Sequence, residues 1–305
     1  MGKKNKKEKE EKKKIIVIVG PTASGKSDLA VKLAKKFNGE VISADSRQVY
    51  KGMDIGTGKI TKKEMKGVKH YLLDVASPKR KFTVFQYQKI ALRAIERILK
   101  KGKTPIICGG TGFYIQALVD GILLPNVPPD WELRKKLEKK SVAQLYKILK
   151  KLDPQRAKTI EKKNPRRLIR AIEIAKRVGR VPPLKKQPLP YPVLMLGIKK
   201  TKEELKKLIK KRLLRRFKKG MVAEVKKLRK QGVSWKRLEG FGLEYRWIAY
   251  FLQNKIDFSE MVEKLQKDIE DFARRQMVWW KKDKRVFWIV SQREAEKKVR
   301  EFLKN

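Results

Sequence analysis

An α/β fold, with a P-loop NTPase-like parallel sheet flanked by helices and a helical insertion domain, is what this chain predicts, on three observations. Ile15–Val19 is a run of five β-branched residues, the composition of a strand buried on both faces. Gly20-Pro21-Thr22-Ala23-Ser24-Gly25-Lys26-Ser27 follows it, and then apolar residues at helical spacing: Leu29, Val31, Leu33, Ala34 and Phe37. Strands then alternate with helices until Pro125-Asn126-Val127-Pro128-Pro129, beyond which the pattern turns wholly helical.

Residues 40–44 form a second short strand, ending in Asp45-Ser46-Arg47-Gln48. Residues 51–70, rich in Gly and Lys, read as loop, and 70–75 as another short strand. An amphipathic helix spans 85–100. The buried strand Thr104–Cys108 runs into Gly109-Gly110-Thr111-Gly112, and a helix covers 113–118. From 131 to 178 the periodicity is helical, with breaks near Ser141, Asp153-Pro154 and Asn164-Pro165. Five prolines make 179–192 a loop. A strand returns at Val193–Ile198, two or more helices fill 202–284, and 286–290 is the last strand. The expected division is therefore a basic, disordered tail at 1–14, a core at 15–120 and 191–305, and a helical insertion at 121–190. No repeat of fixed period occurs.

Charge narrows the class of partner. Among 305 residues, 81 Lys and Arg stand against 32 Asp and Glu, a formal net charge of +49. Such an excess favours polyanions, nucleic acid foremost, although a hot-adapted, lysine-rich surface also raises it. One cysteine, Cys108, and one histidine, His70, exclude a disulfide framework and a Cys/His zinc site, and the expectation is cytoplasmic. The tail has no apolar core, so it is not a secretory signal. No apolar run reaches membrane-spanning length, so no membrane partner is expected. A monomer is the expected state.

Chemistry collects where strands of a parallel sheet end. Gly-x-x-x-x-Gly-Lys-Ser between a strand and a helix cradles phosphates with backbone N–H groups, the residues being Gly20 to Ser27. Lys26 reaches the outer oxygens and the Ser27 hydroxyl a Mg²⁺. Asp45 is the only carboxylate in the three candidate loops, which makes it the general base or metal-bridging candidate, or an aspartate that merely caps a loop. Gly109 to Gly112 admits close backbone approach and brings the Thr111 hydroxyl. No long hydrophobic strand ends in an aspartate; Tyr71-Leu72-Leu73-Asp74 comes nearest, with a short apolar run. A motor NTPase or switch GTPase is thereby disfavoured against a small-substrate transferase. Arg166, Arg167 and Arg170 crowd the first turns of a helix, where the dipole gives them nothing, so they face an anion or carboxylate partner or a solvated surface. Arg212, Arg215 and Arg216 precede Phe217, and Arg274-Arg275-Gln276 precedes an apolar run ending in tryptophans, which read as packing residues.

These segments resemble the tRNA dimethylallyltransferase (tRNA isopentenyltransferase, IPP transferase) family. The resemblance rests on Gly-Pro-Thr-Ala-Ser-Gly-Lys-Ser at 20–27, Asp-Ser-Arg-Gln-Val-Tyr-Lys-Gly-Met-Asp-Ile-Gly-Thr-Gly-Lys at 45–59 and Gly-Gly-Thr-Gly-Phe-Tyr at 109–114. Asn-Pro-Arg-Arg-Leu-Ile-Arg-Ala-Ile-Glu at 164–173 and Arg-Arg-Phe…Gly-Met-Val-Ala-Glu-Val at 215–225 extend it over nearly the whole chain. The likeness implies transfer of a dimethylallyl group from dimethylallyl diphosphate to N6 of adenosine 37, beside the tRNA anticodon. It implies that Asp45 takes the N6 proton, and that Thr22, Lys26, Thr111 and Arg216 hold the departing diphosphate with Ser27 and Mg²⁺. It further implies that Asp45, Ser46, Arg47, Gln48 and Thr111 contact the flipped adenine and its neighbours. Arg134, Arg166, Arg167 and Arg170 of the insertion are then assigned to the anticodon stem-loop. Gly240-Phe241-Gly242-Leu243-Glu244-Tyr245-Arg246 departs from the Gly-Tyr-Arg or Gly-Tyr-Lys segment of many members, and Met221 replaces an aromatic residue of some. An adenylate isopentenyltransferase, a small-molecule P-loop kinase and a basic RNA-binding factor are the competing readings.

Overall fold

The computed structural model describes residues 13–304; most of the tail, 1–12, lies outside them. Within the predicted tail, Lys14 is tied down, its Nζ donating to the Leu303 carbonyl at 2.8 Å. In chain order the first stretch is β1 (Ile15–Val19), α1 (Lys26–Lys36), β2 (Gly39–Ser43), α2 (Lys62–Met65), β3 (His70–Tyr71), α3 (Val84–Leu99), β4 (Thr104–Cys108) and α4 (Gly112–Val119). Next come β5 (Ile122–Leu123), α5 (Trp131–Leu137), α6 (Val142–Leu152), α7 (Pro154–Thr159), α8 (Pro165–Val178) and β6 (Lys185–Lys186). The last stretch is β7 (Val193–Ile198), α9 (Lys202–Lys218), α10 (Met221–Lys230), α11 (Trp235–Phe241), α12 (Leu243–Leu252), α13 (Phe258–Lys281), β8 (Val286–Ile289) and α14 (Gln292–Lys304). The chain forms two compact units: Gly121–Gln187, and the residues on either side of it.

In the larger unit six strands pair in the order β3-β2-β4-β1-β7-β8, every pairing parallel. β1 lies between β4 and β7 and none of its residues is exposed, which is why it is a continuous β-branched run. Its side chains alternate: Ile15, Val17 and Val19 join a core with Tyr87, Ile95, Tyr114 and Trp280. Ile16 and Ile18 join the opposite core, with Leu29, Leu33, Ala295 and Val299. A third core is built by α9 to α13 around Val49, Tyr50 and Met53, so the segment after β2 is held from the helical side.

The smaller unit packs Leu137, Leu145, Leu149, Leu168 and Ile172 into its own core. Asn164 caps α8 through the Arg167 N–H, and Pro165 occupies the first turn, where no N–H is needed.

Several elements differ from the sequence expectation. The strand expected at 70–75 stops at Tyr71, because Leu72 and Asp74 take left-handed φ of 64° and 57°. The loop at 51–70 contains α2, started by a Thr61/Glu64 capping box. The loop at 179–192 contains β6, antiparallel to β5. After β8 the chain adds α14, whose buried residues are only Ala295 and Val299.

Candidate active site

Three loops leave the carboxyl ends of β1, β2 and β4. In the first, Gly25 adopts φ 91° and caps α1, whose first turn presents Lys26 and Ser27. Ser24 Oγ is buried without a hydrogen-bond partner among the described residues. A buried hydroxyl without a partner is costly, and a ligand oxygen would relieve it. Lys26 Nζ donates to the Pro21 carbonyl at 2.5 Å. Burial first, and then the Arg212 cation, pull the ammonium down to about 8, against Cys108 and Asp45, which raise it. Burial pushes the Cys108 thiol up to about 12, so it is a neutral thiol and no nucleophile.

The second loop is organised by Asp45. Its Oδ1 accepts the N–H groups of Arg47 at 2.8 Å and Gln48 at 3.3 Å. The same side chain's Oδ2 has no hydrogen-bond partner among the described residues, so half of the carboxylate builds the turn and half is free. The third loop locks onto the second: Thr111 Oγ1 accepts Ser46 N–H at 2.9 Å, and Thr111 N–H donates to Ala44 at 3.1 Å. A Cβ on Gly109 would lie 2.2 Å from the Ala44 carbonyl oxygen, which accounts for glycine there. Arg47 Nε donates to the Phe241 carbonyl at 2.9 Å, and burial lowers its pKa. Gln48 accepts from Ser43 Oγ at 3.3 Å and donates to the Gly58 carbonyl at 3.4 Å.

Helices α9 to α13 supply Arg216, which the resemblance assigned to the diphosphate, and Arg212, Glu224 and Gln276, which sequence reasoning left without a role. Arg212 donates to Thr22 Oγ1 at 2.5 Å. Burial and then Arg216 hold its guanidinium below the usual range, while Glu244 and Asp45 raise it. Arg216 is buried, with NH1 donating to Glu244 Oε1 at 2.9 Å and to the Gly56 carbonyl at 3.0 Å. Glu224 accepts three successive N–H groups, Asp54 at 2.8 Å, Ile55 at 2.6 Å and Gly56 at 3.0 Å, and the Tyr245 hydroxyl at 2.8 Å. Gln276 accepts Thr22 N–H at 2.7 Å and donates to the Gly110 carbonyl at 2.8 Å. The departing segment 240–246 therefore supports the site, through the Phe241 carbonyl, Glu244 and Tyr245. Of the two tryptophans, Trp280 is core, whereas Trp279 is partly exposed and its Nε1 is 2.5 Å from where a Gly112 Cβ would be.

In the smaller unit the predicted arginines divide. Arg134 binds the buried Glu173 with Nε at 2.7 Å and NH2 at 2.6 Å. Arg170 pairs with the same carboxylate and donates to the Val127 carbonyl at 2.9 Å. The two arginines and the Asp130 N–H hold Glu173 below the usual carboxylate range despite burial, which opposes them. Arg166 and Arg167 are exposed, Arg167 pairing at 3.0 Å with an equally exposed Glu161.

Among the described residues no three His, Cys, Asp or Glu side chains cluster to hold a metal. The exposed Ser27 hydroxyl is an oxygen donor suited to a Mg²⁺ that draws its other ligands from water and substrate phosphates. Asp45 raises the pKa of both Lys26 and Arg212, which puts its charge within reach of the two cations.

A loop of the phosphate-binding pattern after β1, with Arg212 fixed on Thr22 beside it and the Asp45 turn at the next strand end, lies at the carboxyl edge of a P-loop-like α/β sheet. The chain belongs to the IPP transferase family, whose model matches residues 48–283. It is 41% identical, over 90% of each chain, to a tRNA dimethylallyltransferase of Acetivibrio thermocellus. Its structure is similar to the tRNA isopentenylpyrophosphate transferase of Bacillus halodurans, with a TM-score of 0.72, 34% identity and 96% of each chain covered. A eukaryotic dimethylallyltransferase acting on tRNA superposes with a TM-score of 0.73 at 27% identity, covering 88% of this chain and 69% of that one.

Proposed function

We propose that this chain transfers the dimethylallyl group of dimethylallyl diphosphate to N6 of adenosine 37 in tRNA, releasing diphosphate, and does so as a cytoplasmic monomer. The observation that carries the reading is the Asp45 turn at the end of β2, where Oδ1 accepts the Arg47 and Gln48 N–H groups and the loop after β4 locks on through Thr111 and Ser46.

The diphosphate lies on the loop from Gly20 to Ser27, against its N–H groups and the start of α1. Lys26, Thr22, Thr111 and Arg216 hold it, and Arg212 joins them through the Thr22 hydroxyl. As the adenine N6 lone pair forms the C–N bond to the allylic carbon, the C–O bond breaks and its electron pair leaves with the diphosphate. Cations already in place stabilise that growing charge without reorganising. The N6 proton passes to Asp45 Oδ2. Ser27 would hold a Mg²⁺, which would supply further positive charge to the leaving group. Glu244 and Glu224 act one layer out, fixing Arg216 and the 54–56 backbone so that the clamp does not relax.

The target base has to leave its stack, which costs a few kcal/mol, and single-stranded loop bases are read by stacking and edge contacts. Ser46, Arg47 and Gln48 line the Asp45 turn where that base arrives. Arg166 and Arg167, exposed on α8, take backbone phosphates of the anticodon stem, and Arg134 and Arg170 shape the surface behind them.

Parallel incubations with labelled dimethylallyl diphosphate or γ-labelled ATP, each with tRNA and AMP, test the proposal. Prenyl label in tRNA at position 37 is the expected result. Prenyl label in AMP, or phosphoryl transfer from ATP, overturns it in favour of an adenylate isopentenyltransferase or a kinase; binding without transfer leaves an RNA-binding factor.

A further inference from the structure

Gln276 sits on α13, 6% exposed, with both ends of its carboxamide committed. Its Oε1 takes the Thr22 N–H at 2.7 Å, a donor from the phosphate loop itself. Its Nε2 gives to the Gly110 carbonyl at 2.8 Å, in the loop after β4. From Gly110 the chain passes to Thr111, whose hydroxyl holds Ser46 N–H at 2.9 Å, next to Asp45. One side chain thus links the loop that would carry the leaving group to the loop that orients the proton acceptor. The contact is tight on the Gly110 side: a Cβ there would lie 2.2 Å from Gln276 Nε2. A carboxamide accepts on one side and donates on the other at this length, whereas an ionised carboxylate lacks the donor and methionine has no donor and only a weakly accepting sulfur.

We propose that Gln276 is a positioning residue that sets the spacing between the diphosphate loop and the Asp45 turn, and so decides whether adenine N6 or water captures the allylic carbon. The inference rests on the prenyl-transfer reading above. With the strap intact, N6 is held in line with the breaking C–O bond. With it cut, the diphosphate is still bound and still leaves, but N6 is no longer aligned. Water then competes: its oxygen bonds to the allylic carbon, the C–O bond to diphosphate breaks, and a water proton goes to solvent. The products are dimethylallyl alcohol and diphosphate.

The test is product partition in single turnovers, with donor and tRNA both saturating, measured as the ratio of alcohol to prenylated tRNA. Gln276→Met is expected to raise that ratio at least tenfold and to slow transfer at least tenfold, with donor and tRNA Kd changed less than threefold. Gly110→Ala pushes on the same strap from the other side and is expected to shift the ratio in the same direction, so the proposal does not depend on one variant folding. A ratio equal to wild type in the folded variants, whether or not transfer slows, overturns the positioning role. Wild-type protein that prenylates no tRNA overturns the underlying reading instead, and the two failures are told apart in one experiment.

Discussion

Raising the pH should loosen the grip on the donor, by an amount set by Lys26. Burial and Arg212 bring its ammonium to about 8, from the ordinary 10.5. A diphosphate on the loop favours the protonated form, so above pH 8 each binding event must first return a proton to Lys26. Below pH 8 the ammonium is already charged and affinity is flat. Well above it the Kd of dimethylallyl diphosphate rises about tenfold per pH unit, and about eightfold between pH 7.5 and 9 once the curvature near the midpoint is included. The donor's own last ionisation, near pH 6, is complete throughout this window. Calorimetry without tRNA, in EDTA, reads both the Kd and the proton uptake, which should approach one proton by pH 9. Lys26→Met should bind more weakly and with a much shallower pH dependence, Arg212 being a remaining cation at the site whose pKa is lowered. A wild-type Kd that stays constant from pH 7.5 to 9.5 would refute the placement of Lys26 against the diphosphate. For stability the sign is opposite to the usual lysine case. The unfolded chain keeps a proton that the folded chain sheds, so the ligand-free protein gains stability as pH rises from about 8 to 10.5.

Glu224→Ala strips the acceptor from three backbone N–H groups and a tyrosine hydroxyl; part of that loss is rehydrated, and denaturant unfolding should report a cost of about 2–4 kcal/mol. A loss below about 0.5 kcal/mol would mean that the 54–56 backbone does not depend on Glu224. Arg166→Ala combined with Arg167→Ala should weaken tRNA binding and lower the slope of log affinity against log salt by about 1–2, without altering thermal stability; an unchanged slope removes both from the interface. Glu173→Ala leaves Arg134 and Arg170 unpaired around a buried gap and should destabilise by about 2–3 kcal/mol. Because the folded pKa of Glu173 is depressed, its contribution is present above the ordinary 4.5 and disappears as pH falls through the folded value, which acid-unfolding curves of wild type and variant should show converging.

Much of this was legible because the signals are local. β1, β4 and β7 are buried on both faces and so read as apolar runs, and the phosphate loop is one contiguous motif between a strand and a helix. Asp45 and Thr111 were visible as the ends of such strands. Arg212, Glu224 and Gln276 were not, because each acts across the fold: Arg212 meets Thr22 190 positions away, and Gln276 meets it 254 away. No periodicity encodes such a contact. Glu173 shows the limit from the other side. The Arg166-Arg167-Arg170 cluster advertised an anion partner, but for Arg170 that partner is a buried carboxylate one turn on. The two-residue strands β5 and β6 are held by pairing rather than composition, and Lys185-Lys186 carries no strand signal at all.

The central claim is that Asp45 removes the N6 proton while the loop from Gly20 to Ser27 holds the diphosphate. Asp45→Asn tests it most directly, because the amide oxygen can still accept from Arg47 and Gln48 while the basic oxygen is lost. Single-turnover transfer to tRNA, measured beside donor and tRNA affinity, should fall at least a thousandfold with each Kd within threefold of wild type. Transfer within tenfold of wild type, in a variant that binds both substrates normally, would contradict the account.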